Sequence, residues 1–359
     1  MARVKLGDVA REYKATIKDT ADLPIVGLEH LTPGEITLER WDVGTENTFT
    51  KGFKKGHMLF GRRRAYLKKA ALAPFDGVCS GDITVIEAIP GKINPELLPF
   101  IIQNDLLFDY AVGNSAGSLS PRVKWESLKG YEFELPELAE QDGLVELLKA
   151  AHRTKKAYQK QITATDELVK SQFIEMFADT PKGKLSDIAT ITMGQSPDGK
   201  TYNTDGNGMC FYQGKTEFGD LYIGEATTWT TAPSRIAEAN DVLMSVRAPV
   251  GSTNIATQTC CLGRGLAGIR PVEGKSTTMF ILYSMRSIED DIENMGVGST
   301  FKAINKDVVY NLPIPLATIE LQNKFVALAE QSDKSKFELQ EAIVRIDNFI
   351  KSLIQQDDN

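Results

Sequence analysis

The chain is poor in residues that do covalent and metal chemistry. Three histidines (His30, His57, His152) and four cysteines (Cys79, Cys210, Cys260, Cys261) serve 359 residues. No two cysteines form a CxxC, and the histidines complete no zinc-ligand spacing. No histidine stands near a Ser or Cys in a recognisable motif, so nucleophilic catalysis has no candidate. Cys79 and Cys261 lie in apolar, strand-like runs, and buried reduced thiols are expected. No apolar run approaches the ~20 residues of a membrane span. The opening Met1-Ala2-Arg3-Val4-Lys5 lacks the apolar stretch of a secretory signal, so cytoplasmic residence is expected.

Motifs for base modification and nucleotide binding are also missing. Asn311-Leu312-Pro313-Ile314-Pro315 only superficially resembles the Asn/Asp-Pro-Pro-aromatic turn of amino-methyltransferases. Gly296-Val297-Gly298 lacks the third glycine of a dinucleotide fingerprint. Gly268 to Gly274-Lys275-Ser276 has one residue too many for a phosphate-binding loop. The carboxylates flank no nucleophile or metal set. Neither catalytic residues, metal ligands nor a cofactor site are assigned.

What is present is 42% apolar and 25% charged sequence, the mixture of a soluble globular protein long enough for two domains. The net charge of −7 argues against a generic, charge-driven nucleic-acid binder. Locally the picture reverses. From Lys51 to Lys69 the chain carries Lys51, Lys54, Lys55, Arg62, Arg63, Arg64, Lys68 and Lys69 with no acid among them. Acid gathers elsewhere, in Glu132–Glu146, Glu289–Glu293 and Asp357-Asp358.

The sequence repeats itself at an offset of about 180 residues. Lys5-Leu6-Gly7-Asp8-Val9-Ala10 returns as Lys184-Leu185-Ser186-Asp187-Ile188-Ala189, and Gly56–Arg63 as Asn240–Arg247. Cys79-Ser80-Gly81 is matched with Cys261-Leu262-Gly263, Tyr131–Pro136 with Tyr310–Pro315, and Leu168–Ser171 with Phe349–Ser352. Five matches in one order indicate a tandem duplication. Each half begins rich in β-branched residues, Gly and turn signals, then turns helical after Pro136 or Pro315. Four segments follow: β-rich domains over 1–136 and 181–315, and long helices over 137–180 and 316–359. Phe325, Leu328, Ser332, Ser335, Leu339, Ala342, Ile346, Phe349 and Leu353 alternate steps of three and four. Leu144, Leu148, Ala151, Tyr158, Ile162, Thr165 and Val169 lie on one side of the first helix. Both stripes suit a coiled-coil seam.

Gly61-Arg62-Arg63-Arg64-Ala65-Tyr66-Leu67-Lys68-Lys69 follows a short apolar run, which places it on a loop after a strand. Arginine grips phosphate or guanine bidentately, and a tyrosine stacks or bonds phosphate. Arg62, Arg63, Arg64, Tyr66, Lys68 and Lys69 are therefore candidate DNA contacts. In the second half, Ser245 and Arg247 occupy the matching loop, Lys215 and Thr216 a polar loop upstream, and Arg264 a Gly-Arg-Gly turn. Ser118 and Arg122 in the turn Gly113–Arg122, and Lys302 in Gly298–Lys302, complete the set. The framework positions agree between the halves while the loops differ, which suits a duplicated scaffold reading two unlike sequences.

Leu59–Tyr66, Phe75-Asp76-Gly77-Val78-Cys79-Ser80-Gly81-Asp82, Leu243–Gly251, Phe173-Ile174-Glu175-Met176-Phe177 and Leu135-Pro136 before a long helix together resemble the DNA specificity subunit (HsdS) of type I restriction-modification systems. The resemblance spans the whole chain. It implies a mixed α/β fold with two tandem target recognition domains related by pseudo-two-fold symmetry, separated by two long antiparallel coiled-coil helices. It further implies double-stranded DNA as ligand and two methylation subunits and motor-nuclease subunits as partners. S-adenosylmethionine, ATP and magnesium would belong to those partners. Two alternatives stay open: a coiled-coil protein-interaction adaptor, and a self-sufficient DNA methyltransferase or nuclease.

Overall fold

The computed structural model describes residues 2–20, 22–44, 48–296 and 302–354. The chain forms two compact units, one of residues 1–159 and 340–359, the other of residues 160–339. Each unit thus holds one β-rich region together with a segment of each long helix.

In the first unit β1 (Ala2–Lys5) leads into a single helical turn, α1 (Leu6–Val9), and β2 (Ala10–Glu12). Next come β3 (Ile25–Val26), β4 (Lys51–Phe53), β5 (Met58–Gly61), β6 (Ala70–Leu72), β7 (Gly77–Cys79) and β8 (Ile83–Ala88). Helices α2 (Leu98–Ile102), α3 (Asp105–Gly113) and α4 (Trp125–Leu128) precede β9 (Glu132–Leu135) and the 40-residue α5 (Leu138–Phe177). One sheet has the order β2-β8-β5-β6, a second β3-β7-β4, and β1 pairs with β9.

The second unit repeats this plan. β10 (Lys182–Lys184), α6 (Leu185–Ile188) and β11 (Ala189–Met193) open it. Strands β12 (Tyr202–Asn203), β13 (Met209–Tyr212), β14 (Trp229–Thr230), β15 (Ile236–Ala237), β16 (Val242–Ser245), β17 (Thr253–Ile255), β18 (Cys260–Leu262) and β19 (Leu266–Pro271) follow. Helices α7 (Thr278–Ser287), α8 (Glu289–Met295) and α9 (Lys306–Tyr310) lead to β20 (Pro313–Pro315) and the 36-residue α10 (Ile319–Ile354). The sheet β11-β19-β16-β17 matches β2-β8-β5-β6. The parallel pair β13–β18 matches β3–β7, and β12 and β14 extend that second sheet. Alternation explains why two sheets form around one strand pair. In β5, Met58 and Phe60 join the core beneath the helices, while Leu59 joins the core under the small sheet. In β16, Val242 and Met244 divide from Leu243 in the same way.

The duplication extends to single hydrogen bonds. The Gly56 and Asn240 amides, both at positive φ, donate to Ala73 and Ala256 carbonyls, and those residues' amides donate to His57 and Asp241 carbonyls. Gln141 and Gln322 are both buried just inside a long helix. Gln141 Oε1 accepts from the Asn94 amide and its Nε2 donates to Pro136 O; Gln322 Oε1 accepts from the Thr277 amide and its Nε2 donates to Lys275 O and Ala317 O. These latches fix where each helix departs from its domain, since an unpaired buried amide is costly.

Register corrects two of the sequence matches. Ser80 and Gly263 amides donate to Val26 and Tyr212 carbonyls, which makes Leu262, not Cys261, the counterpart of Cys79. The pairs Lys5↔Glu132 and Lys184↔Pro313 make Leu312, not Tyr310, the counterpart of Tyr131. Strand pairing defines equivalence here, and short shared residue runs had slipped by one and two places. The four cysteines are buried free thiols, and burial pushes the Cys79 thiol up to about 12.

Within each unit the two helix segments run antiparallel. In the first unit Lys155 Nζ lies 2.6 Å from Asp347 Oδ1, and Leu144, Ile350 and Leu353 pack on the core. In the second, Lys336 Nζ lies 2.6 Å from Asp166 Oδ1, and Phe173 and Phe177 both meet Phe325 edge-on. The expected α5 stripe is at least partly buried throughout. In α10, Ser335 and Phe349 are exposed, and Asp333, Lys336, Asp347 and Ile350 take their places. The seam is partly ionic, which residue hydrophobicity alone does not reveal. Among the described residues, no helix is long and apolar enough to cross a membrane.

Candidate nucleic-acid interface

Both units present loops at corresponding ends of β5 and β16. In the first unit the chain leaves β5 and is tied at each step: the Arg62 amide donates to Asp82 O (3.0 Å), the Val123 amide to Arg62 O (3.0 Å), and the Arg64 amide to Pro121 O (2.8 Å). Arg63 consequently faces Arg122 across a β-bridge, and the bridge Ala116↔Arg122 closes the adjoining turn. The side chains converge on Asp82. Arg122 Nε donates to Asp82 Oδ1 at 2.7 Å and Arg122 Nη2 to Oδ2 at 3.2 Å. Arg63 Nη1 stands 3.5 Å from Oδ2, and Arg63 Nη2 donates to Ser120 Oγ at 3.0 Å. Hydrogen bonds from Arg122 hold the Asp82 carboxyl below the usual carboxylate range, with burial opposing them in part.

The remaining first-unit candidates divide. Arg64 sits at φ 53° and is exposed, as is Tyr66. Ser118 is exposed beside Leu119, which at 91% exposure is the tip of its turn. Lys68 Nζ is paired with Asp105 Oδ1 at 2.6 Å, and Lys69 Nζ donates to Leu28 O at 2.7 Å. The run of cations without acid along the sequence is therefore answered in space by Asp76 at Lys54, Asp82 at Arg63 and Asp105 at Lys68.

The second unit keeps the backbone frame. The Val246 amide donates to Gly265 O, the Ile304 amide to Val246 O, and the Ala248 amide to Lys302 O; Arg247 bridges Ala303. Arg247 thus corresponds to Arg63, Gly265 to Asp82 and Ala303 to Arg122. A cavity of about 270 Å³ is lined by Gln213, Lys215, Thr216, Ser245, Arg247 and Arg264, gathering five candidates in one place. Lys215 Nζ donates to Ser252 Oγ at 3.1 Å, while Ser245 Oγ donates to Arg247 O at 2.7 Å. Arg247 and Arg264 are exposed. A Cβ at Gly265 would lie 2.5 Å from Gln213 O, so only glycine lets these two loops touch. Lys302 holds Ala248 through its backbone, and Gly298–Phe301 lie outside the described residues.

Asp82, Ser120, Gln213 and Ser252 were not singled out by the sequence as site residues. Asp82 stood within the quoted run Phe75–Asp82, Ser120 within the candidate turn Gly113–Arg122, and Gln213 headed the polar loop of Lys215; for Ser252 the sequence carries no signal. Among the described residues no group of three or more His, Cys, Asp or Glu could hold a metal ion.

A model of the type I restriction modification DNA specificity domain matches residues 179–345, the repeat unit containing the Lys215–Arg264 cavity. The putative type I restriction enzyme MjaX specificity subunit of Methanocaldococcus jannaschii is 27% identical, across 93% of this chain and 87% of its own length. The chain belongs to the type I restriction-modification specificity subunits. A chain solved in work on complex assembly and conformational transition of the type I R-M system is 29% identical, covering 98% of this specificity subunit and 96% of that chain, with a TM-score of 0.62. The type I restriction-modification S subunit of M. genitalium, 14% identical with a TM-score of 0.56, shares the fold.

Proposed function

We propose that this specificity subunit reads a bipartite DNA target, one half-site per unit, and carries out no chemistry itself. The observation that carries the reading is that one hydrogen-bonded frame presents different chemistry in each unit. Arg63, Arg122 and Asp82 project from it in the first, Lys215, Arg247 and Arg264 in the second. Base-edge contacts supply specificity, and phosphate contacts fix register. Arg64, Tyr66 and Ser118, exposed beside the first cluster, suit phosphate and sugar.

The long helices set the gap between half-sites and dock two methylation subunits. Leu147, Leu168, Ile174, Phe337, Val344 and Phe349 are exposed apolar side chains on them, more than a solvated helix pair needs. S-adenosylmethionine belongs to the methylation subunits, and ATP and magnesium to motor-nuclease subunits joining the same cytoplasmic complex. With a net charge of −7, the isolated chain binds DNA weakly and in a salt-sensitive way. Methylome sequencing of a host without other modification systems, carrying this chain and its methylation subunit, tests the reading. A two-part motif with adenine methylated in both halves is expected. A soluble complex that leaves DNA unmethylated and unbound would favour a protein-interaction adaptor.

A further inference from the structure

The arginine cluster of the first unit has a carboxylate at its centre, and the corresponding place in the second unit is Gly265. We propose that Asp82 is a positioning residue that holds Arg122, with Arg63 beside it, outward as the readers of a guanine in the first half-site. This rests on the half-site reading above and assigns its chemistry.

The geometry of the guanidinium carries the argument. Arg122 spends Nε and one Nη2 hydrogen on the two oxygens of Asp82. One hydrogen of Nη1 and the second of Nη2 are left side by side at the far end of the guanidinium, the fork that fits guanine O6 and N7. Arg63 Nε is buried with no partner, Nη2 spends one hydrogen on Ser120 Oγ and Nη1 stands 3.5 Å from Asp82 Oδ2, so Arg63 offers outward only the remaining hydrogens of its two Nη groups. The backbones beneath are immobilised: Arg122 and Ala116 exchange both hydrogen bonds (2.9 and 3.0 Å), and Arg62 is tied to Asp82 and Val123.

The carboxylate also separates a base from a phosphate. An approaching phosphate meets the negative charge of Asp82, which cancels part of the attraction of Arg63 and Arg122. A neutral acceptor edge suffers no such penalty. Asp82 is already engaged by both arginines and so is a poor acceptor for a cytosine amino group.

The test uses the assembled methylation complex carrying Arg122→Lys or Asp82→Asn. The Arg122 side chain is 41% exposed, so the lysine variant keeps the fold and the charge while losing the fork. Methylome sequencing of either variant should show one required guanine of the first half-site becoming degenerate, with the second half-site unchanged. Discrimination at that base pair should fall about tenfold or more, and the salt dependence of binding should be unaltered in Arg122→Lys. A strict motif with unchanged affinity in both variants would reduce the cluster to a structural brace and overturn the assignment. A strict motif with affinity lost evenly over all sequences would make it a phosphate contact and overturn it equally. A wild-type complex with no two-part motif would bring down the half-site reading itself, and this assignment with it.

Discussion

At one corresponding position the two units solve the same problem with different side chains, a histidine in one and a carboxylate in the other. In the first, His57 Nδ1 accepts from the Lys54 amide at 3.1 Å, and Nε2 lies 3.6 Å from Glu87 Oε2. In the second, Asp241 Oδ2 accepts from the Glu238 amide at 2.8 Å, and the carboxylate takes two 2.9 Å bonds from Arg270. The acidic partner has changed strands. What the halves share is the need to cap a turn amide and to pair the capping group across β5–β8 or β16–β19. Residue identity is free so long as both demands are met. On the helices even identity is shared, as Lys155–Asp347 and Lys336–Asp166 show. In the loops after β5 and β16 identity survives at Arg63 and Arg247 alone among these positions, while Asp82 and Arg122 stand against Gly265 and Ala303. Divergence thus grows from the long helices to the strand frame to the loops.

The comparison can be broken outright by exchanging residues 1–135 for those of a relative with another target. One half of the methylated motif should be replaced and the other kept; alteration of both would end the division of labour. Next in size, Gln322→Ala strands the Thr277 amide and two carbonyls and should cost about 2–4 kcal/mol in urea unfolding, with Gln141→Ala close behind. A loss in only one unit would mean that the two latches are not equivalent. Replacing Arg62, Arg63 and Arg64 together with alanine should leave the subunit folded and weaken DNA binding by the complex by about 1–3 kcal/mol; undiminished affinity and specificity would remove that loop from the site. Asp241→Ala leaves Arg270 with Glu238 alone and should destabilise by about 1–2 kcal/mol, scaled down because Arg270 is 40% exposed. Glu87→Ala should cost less than about 1 kcal/mol, since Arg11, which pairs with it at 2.6 Å, is largely solvent-exposed, and His57 is largely uncharged at neutral pH.

The smallest effect concerns pH. Burial lowers the pKa of His57 and His152 below 6.5, against the pull of Glu87 on the former and Glu35 on the latter. The unfolded chain then binds these protons more readily, so first-unit stability falls as pH drops below 6.5 toward the depressed values. The second unit has no histidine. Hydrogen exchange, corrected for its intrinsic pH dependence, should show β5 and β8 losing protection between pH 7.5 and 5.5 more than β16 and β19. Equal losses would trace the change to carboxylates common to both.

Much of the architecture was legible because it rests on local pattern. The expected helices 137–180 and 316–359 enclose α5 and α10, and Lys5–Ala10 with Lys184–Ala189 marks the same strand-turn-strand entry in each unit. Arg63 was matched with Arg247 correctly, since strands β5 and β16 carry enough apolar residues to anchor the alignment. Less was legible where equivalence depends on a partner strand, as for Cys79 and Tyr131. The site was legible as a set of loops and not as a circuit of charges. Nothing near Arg122 in the sequence announces Asp82, forty residues earlier, and nothing near Lys68 announces Asp105.

The paired ions on the helices carry one more implication. α5 bears Lys155 and then Asp166, and α10 bears Lys336 and then Asp347, in the same order and with the same spacing. Each lysine finds its aspartate on the other helix, running the other way. In charge pattern each helix is therefore a palindrome's half, as well matched to a copy of itself as to its actual mate. A fragment bearing one β-rich region and α5 alone would already possess both lock and key.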